Sequence, residues 1–527
     1  MVEKKVGVLN VLQALIVVLL AWPSLASAQS FPRLTPIPSQ GRATPNAAVA
    51  TRPKQSPWQP LANQPTFLIN GACNPLLLTD GTVMLQDCGS QDWWQLTPDN
   101  TGSYVNGTWA QLASLAPDYS PLYHSSAVLP DGRVIIEGGE YNFFNPAWTN
   151  QGAIYDPLDN TWTPVAPPAG WQTIGDAQSV VLANGTYMQA NCCTTQAALL
   201  NPRTLTWTPT GSNKFDTNDE EGWTLLPNGQ VLTVDTYLGV PYDPTGTHSE
   251  LYNPATGEWH SAGSTIVQLW DSAGACGGVT SASFELGPAV LRPDGTVFHT
   301  GSNSCGAGRT SIYDSYRGTW RRGPDFPDSL DIADGPAALL PDGNVLLDTS
   351  PGIYNTPTCF FEWNGARLKP VPGPPNASID SSFFGNMLVL PTGQILFTDF
   401  SNDIEIYTSS GTYDEDWAPK VLWAPEAVRP GRPYLITGVL FNGVSQGAAY
   451  GDDVQAATNY PLVRITNLAT GHVFYSRTHD PSSMGVAQWW LPVFAHFDVP
   501  AGQERGESEL VVVANGIPSH PVPVYVQ

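Results

Sequence analysis

Seven Asp-Gly-type dipeptides, set at a near-constant interval, constrain this chain more than any other feature of its sequence. They are Asp80-Gly81, Asp131-Gly132, Asn184-Gly185, Asn228-Gly229, Asp294-Gly295, Asp342-Gly343 and, in degenerate form, Thr392-Gly393. Each joins two short apolar segments. Such pairs supply the positive φ that a two-residue hairpin needs, so seven two-residue hairpins are expected. Successive glycines step by 51, 53, 44, 66, 48 and 50 residues. A period of this length marks a repeat architecture in which each repeat is one supersecondary unit.

A second signature follows four of the turns. An apolar or Tyr residue precedes a Trp by seven positions: Tyr155 and Trp162, Leu200 and Trp207, Tyr252 and Trp259, Tyr313 and Trp320. This reads as an outer hairpin whose aromatics pack between neighbouring repeats. With 49 Gly and 49 Pro against 22 Lys and Arg, the chain is poor in good helix formers and rich in turns, which points to an all-β fold. Together these features predict a seven-bladed kelch-type β-propeller over residues 66–418. Such a ring closes on itself and leaves no long sheet edge exposed.

The ends read differently. Lys4 and Lys5, the apolar run Val6 to Leu20 and the Ala26-Ser27-Ala28 cleavage pattern predict a signal peptide over 1–28, with a mature chain from Gln29. A secreted or periplasmic (extracytoplasmic) protein is therefore expected, without membrane insertion and as a monomer. Residues 29–65 are rich in Pro, Ser, Thr and Gln and read as a flexible leader. Residues 419–527 carry short apolar runs at sandwich spacing and predict an immunoglobulin-like β-sandwich. The net charge of −24 argues against nucleic acid as a partner. Seven cysteines leave at least one unpaired. Counting outward from Asp80-Gly81, Cys73 faces Cys88, close enough for a disulfide. Cys276 and Cys305 can pair in the fifth blade. Cys192-Cys193 suit a vicinal bond or two separate ones, and Cys359 is the expected orphan.

Chemistry is expected just upstream of each turn, where the innermost strands open at the channel mouth. Those positions read Cys73, Tyr123-His124, Asp176, Glu220-Glu221, Glu285, Asp334 and Phe384-Gly385. A ring of carboxylates with one histidine suits a metal or an acid–base site. The same carboxylates also suit a bracing role on the amides of adjacent blades. As a hydrolase or lyase the chain would use Asp176, Glu221 or Asp334 with His124 as partner. His472, His496 and His520 show no ligand spacing among themselves.

A seven-bladed kelch propeller followed by an immunoglobulin-like domain resembles the galactose oxidase and glyoxal oxidase family of copper-radical enzymes. The resemblance implies a copper ion and a cysteine–tyrosine thioether, with small alcohols or aldehydes as substrates. Cys73 and Tyr123 stand where that pair belongs, and Tyr141, after Gly138-Gly139, stands at the place of the stacking aromatic. Arg477-Thr478-His479-Asp480 is similar to the loop that sends a histidine into the channel, so Tyr123, His479 and His124 are the metal candidates. The last blade departs from the family: Phe384-Gly385 replaces a Tyr-His pair and can ligate nothing. A Cys73–Cys88 disulfide and a Cys73–Tyr123 thioether exclude each other, and the disulfide is favoured. Three functions remain open: binding of a carbohydrate or another extracellular ligand at the channel mouth, copper-dependent oxidation, and carboxylate-based hydrolysis or elimination.

Overall fold

A computed structural model describes residues 56–237, 246–272, 282–452 and 456–527. The signal-peptide reading and most of the leader fall on residues 1–55, outside the described residues. Seven antiparallel sheets succeed one another along the chain, six of four strands and one of five. Their innermost strands are Ala72–Leu77, Ser125–Val128, Ser179–Val181, Thr224–Leu225, Ala289–Leu291, Ala337–Leu339 and Asn386–Val389. Ala72–Leu77 packs beside both Ser125–Val128 and Asn386–Val389, so the ring returns to its start. The fold is the all-β propeller that the turns predict. The second strand of each blade is an apolar run because both its faces are covered: Val134, Ile135 and Ile136 are fully buried. Outer strands such as Thr161–Val165 are largely exposed and correspondingly polar.

One boundary of the sequence reading changes. Trp58–Pro60, placed in the flexible leader, is a strand that pairs with Glu405–Tyr407. It completes the last blade with the three strands that end the propeller, so the two ends of the ring are sewn into one sheet. Three residues with a single buried Trp are too short to show any periodicity.

The seven turns share one geometry, and it is not the two-residue hairpin. In each, the residue three before the glycine donates its N–H to the carbonyl of the residue just after the glycine, as Leu226 does to Gln230 at 2.8 Å. The glycine N–H returns to the carbonyl of that first residue, as Gly229 does to Leu226 at 2.9 Å. These are three-residue loops, a type I turn closed by one left-handed residue. The Asp or Asn also caps its own turn: Asp80 Oδ1 accepts Thr82 N at 3.0 Å, and Asn228 Oδ1 accepts Gln230 N at 3.0 Å. At Gly229 φ is +82°, and an added Cβ would meet only the Ala183 methyl at 3.7 Å. Gly229→Ala therefore isolates the backbone term, with an expected cost of about 1 kcal/mol, read as a fall in the urea midpoint.

The aromatic pairs of the outer hairpins are direct cross-strand partners, Tyr155 opposite Trp162 and Tyr252 opposite Trp259. Their ring centroids lie 5.2 and 5.4 Å apart. Each indole then reaches back: Trp162 Nε1 donates to Ala113 O at 2.8 Å, and Trp207 Nε1 to Ala166 O at 2.7 Å. The same residue thus packs its own hairpin and ties it to the preceding one.

The C-terminal region folds as two layers around one apolar core. One layer holds Lys420–Trp423, Pro433–Val439 and Val493–Asp498; the other holds Leu462–Asn467, Gly506–Ala514 and Val522–Val526. Val473–His479 joins them, pairing through its first half with Leu462–Asn467 and through its second with Val493–Asp498. Ile436, Val463, Ile465, Ala495, Phe497, Leu510 and Val512 fill the space between.

The segment linking Pro433–Val439 to Leu462–Asn467 leaves this sandwich and enters the propeller. Ala448–Ala449 adds a strand to the inner edge of the sixth blade, opposite Ala337 and Ala338. Gln446 Oε1 accepts Leu225 N at 2.7 Å, and Leu339 N donates to Gly447 O at 2.7 Å. Tyr450 donates to Phe383 O at 2.6 Å, and Tyr460 donates to Leu77 O. Side chains on this segment are thereby delivered to the inner strands of four blades.

Candidate functional site

Five carboxylates meet at the channel mouth. Ligand oxygens of Asp176, Glu220 and Asp452 lie within 4.8 Å of one another, and so do those of Glu220, Glu285 and Asp334. Glu220 belongs to both groups and is the centre of the set. Four of the five stand at the entry to an innermost strand, on four consecutive blades. Glu220 and Asp334 have left-handed backbones, φ 57° and 46°, which turn these residues out of the extended path of the strand they precede. Asp452 comes from the sandwich segment. Gly451 permits its approach: a Cβ there would sit 2.1 Å from Asp334 Oδ1.

So many acids in one place raise each other's proton affinity. Burial first, then the charges of Glu285, Asp452, Asp219 and Glu140, push Glu220 well above the ordinary carboxyl range. Burial, then Glu285 and Asp452, do the same to Asp334. Burial pushes Glu140 up to about 8, against a lowering hydrogen bond with Tyr141. Tyr354 donates to Glu285 Oε1 at 2.7 Å.

Aromatic rings form the other side of the mouth. Tyr123 lies 6.0 Å from Tyr141 edge-on and 6.2 Å from Phe400. Phe400 is 5.5 Å from Phe384, Phe384 is 4.0 Å from Phe383, and Phe383 is 4.9 Å from Tyr354. Phe384, the residue that replaces a ligand in the copper family, thus has a packing role in this aromatic arc. Tyr354 closes the circuit between the arc and the acids.

Of the residues the sequence pointed to, Tyr141, Asp176 and Asp334 gather at the mouth, but Glu221 does not. It turns away from Glu220 into a fully buried ion cluster. Lys214 Nζ contacts Glu221 Oε1 at 2.9 Å, Asp235 Oδ1 at 3.0 Å and Glu250 Oε2 at 2.7 Å. Glu221 also accepts from Thr233 Oγ1 at 3.0 Å. It braces the fourth blade. Glu220 and Glu285, read from the sequence as channel-mouth positions, are there; Asp452, Glu140 and Tyr354 are the residues the sequence did not place. One signal for Asp452 was available: the stretch from Gly443 to Gly451 is rich in Gly and Ala, which lets the backbone approach its neighbours closely.

The copper candidates separate. Cys73, Tyr123 and His124 do line one internal cavity of about 10 Å³, with Asn74, Asn386 and Tyr450. The backbone distortion that lets adjacent residues share it is present, since Tyr123 has φ 50°. Cys73, however, is bonded to Cys88, with Cα atoms 5.4 Å apart. The bond forms although the register differs from the simple count: Cys73 opposes Gln86, because the three-residue loop and a bulge between Cys73 and Leu76 each shift the ladder by one residue. His124 Nε2 faces Asn74 Nδ2 at 2.9 Å, and burial depresses its pKa to about 3, so it is a neutral core histidine.

His479 is elsewhere. It ends the strand Val473–His479, and the next residue, Asp480, donates its N–H to Pro130 O at 2.7 Å, at a turn of the second blade. Tyr123 lies at the other end of the Ser125–Val128 strand. Seven residues of extended chain separate Tyr123 from Pro130, roughly 20 Å. The docking of the sandwich on the turn side of the propeller, not the local sequence, decides this. With Cys73 in a disulfide, His479 remote and no side-chain donor at Phe384 or Gly385, the residues present do not fit a radical-copper centre.

The remaining cysteines follow expectation only in part. Cys305 is disulfide-bonded, and its expected partner Cys276 lies outside the described residues. Cys359 is the free thiol expected, but Cys192 and Cys193 are free thiols as well, where a vicinal bond or two separate ones were expected.

No family model matches the chain. The kelch-like protein terF of Aspergillus terreus is 24% identical over 198 residues, which span 37% of this chain and 39% of that protein. Among solved structures, the chain is similar to a fungal alcohol oxidase of the AA5 family in complex with copper, at 13% identity and a TM-score of 0.47, covering 90% of this chain and 99% of that one. A streptogramin B lyase aligns at 9% identity and a TM-score of 0.44, over 66% and 96% of the two chains. The propeller assignment rests on the strand pairings themselves.

Proposed function

We propose that the protein binds a neutral, polyhydroxylated ligand, a glycan of the extracellular space, across the mouth of the propeller channel. The observation that carries this reading is the division of the mouth into an aromatic arc and a carboxylate arc. Carboxylates accept hydrogen bonds from vicinal hydroxyls, and aromatic faces cover the apolar faces of sugar rings. A mouth this acidic disfavours anionic ligands. The Cys73–Cys88 disulfide supports an oxidising compartment. No helix among the described residues is long and apolar enough to cross a membrane.

Acid–base turnover of the bound ligand is a second reading, favoured by Glu140. Its carboxyl, pushed to about 8, holds a proton at neutral pH and can donate it. A glycan array followed by calorimetry tests both. Saturable binding to a neutral glycan, weakened at least about tenfold by Glu220→Gln, supports the binding site. Product formation abolished by Glu140→Gln with binding retained supports turnover. A blank array, or binding indifferent to Glu220→Gln, removes the reading.

A further inference from the structure

The histidine that does not reach the channel meets a different set of donors. His479 and His496 are direct cross-strand partners in the sandwich. Their rings stack at 5.4 Å with an interplanar angle of 18°. Along Val493–Asp498, Val493, Ala495 and Phe497 point into the sandwich core while Phe494, His496 and Asp498 face outward. That outward face borders a cavity of about 550 Å³ between the sandwich and the turns of the second and third blades. Asp131, Asn184, Asn201 and Arg203 line it from the propeller side, and Asp480 and His496 from the sandwich side.

We propose that His479, His496 and Asp480 bind a borderline divalent transition metal, with zinc as the expected ion, at this junction. One donor atom from each residue lies within 4.8 Å of the other two. In a tetrahedral zinc site, donors at about 2.0–2.1 Å from the ion stand about 3.3 Å from one another, so closure requires only small side-chain adjustments. Asp480 has φ 48°, which folds its carboxylate back to 2.8 Å from His479 Nδ1. Arg203 holds the other oxygen of Asp480 at 3.1 Å and leaves this one for the ion. On the other ring nitrogen, Asp498 Oδ1 lies 3.6 Å from His479 Nε2, where it can orient the ring.

A second observation points the same way independently. His496 Nδ1 is enclosed and has no hydrogen-bond partner among the described residues. A buried ring nitrogen without a partner carries a desolvation cost that a metal bond would remove. Imidazole–imidazole–carboxylate is a donor set that suits zinc better than a hard cation, and three protein donors leave one coordination position open towards the cavity. The site lies on the turn side of the propeller and shares no residue with the channel mouth.

The test uses the full chain, stripped of metal by dialysis against chelator. Zinc chloride titrated by calorimetry should bind at one equivalent with micromolar or tighter affinity. His496→Gln and His479→Gln should each weaken it at least about tenfold, while Glu220→Gln leaves it unchanged. Cobalt(II) in the unmutated protein should give the visible absorption of a four-coordinate nitrogen–oxygen site, a readout that needs no variant to fold. Absence of that absorption, absence of zinc uptake, or uptake indifferent to both histidine variants overturns the proposal.

Discussion

Replacing Lys214 by methionine should cost about 4 kcal/mol of folding free energy at neutral pH, and less in mild acid. Lys214 is fully buried and is the ammonium shared by Glu221, Asp235 and Glu250. One cation cannot neutralise three carboxylates, and the cluster divides accordingly. Asp235, which also holds His248, is kept below its ordinary range despite its burial. Glu250 is pushed by burial up to about 7, and Glu221 is raised well above its usual value, in each case against the lowering charge of Lys214. Methionine fills the space but leaves Asp235 with His248 as its remaining partner and Glu221 and Glu250 without the ammonium. As pH falls the three acids take up protons and the loss shrinks. Urea midpoints of the wild type and Lys214→Met at roughly pH 5 and pH 8 check this. An equal loss at both values would show that packing, not charge, carries the effect. A double variant with Asp235→Asn should recover part of the neutral-pH loss, because one carboxylate of the cluster is gone.

The fold was legible wherever the determinant is local. Left-handed glycines fix the seven turns, and each turn fixes the register of its blade, so the ring and the entry positions of Asp176, Glu285 and Asp334 follow from sequence. The Cys73–Cys88 contact followed too, although Asn74 and Pro75 bulge and shift the ladder. Legibility failed where the determinant is the docking of distant segments. Nothing near His479 says on which side of the propeller the sandwich sits, and the segment that does enter the channel carries Tyr450 and Asp452 and no histidine. Glu220 and Glu221 show the remaining limit. Both precede the strand Thr224–Leu225, and the left-handed turn at Glu220 decides which one meets the channel.

The chain should also be more stable in mild acid than at slightly alkaline pH, the reverse of the usual carboxylate behaviour. Most acids of folded proteins are held below their ordinary pKa by partners, but several of the buried ones here are held above it. Both oxygens of Glu137 and of Asp348 are buried without a hydrogen-bond partner among the described residues. Burial raises both carboxyls well above their ordinary range. Asp331 is carried by burial up to about 7, against a lowering hydrogen bond from Asn303 N, and Glu140 to about 8. Each such group binds its proton more tightly in the folded chain than in the unfolded one. Its stabilising contribution is complete below the unfolded pKa, near 4, and drains away as pH rises through the folded value, here between about 7 and 8. For Asp331, moved from an ordinary 3.8 to about 7, the contribution is on the order of 4 kcal/mol. Melting temperatures measured from roughly pH 5 to pH 8 should therefore fall, and Asp331→Asn should flatten the slope by removing one titrating group. A melting temperature that rises over the same interval would mean that these carboxyls are ionised and compensated in the folded protein. A bound glycan or cation at the mouth should act in that direction on Glu140, Glu220 and Asp334 alone. Glu137, Asp331 and Asp348 do not belong to the mouth and should keep their share of the slope whatever the mouth contains.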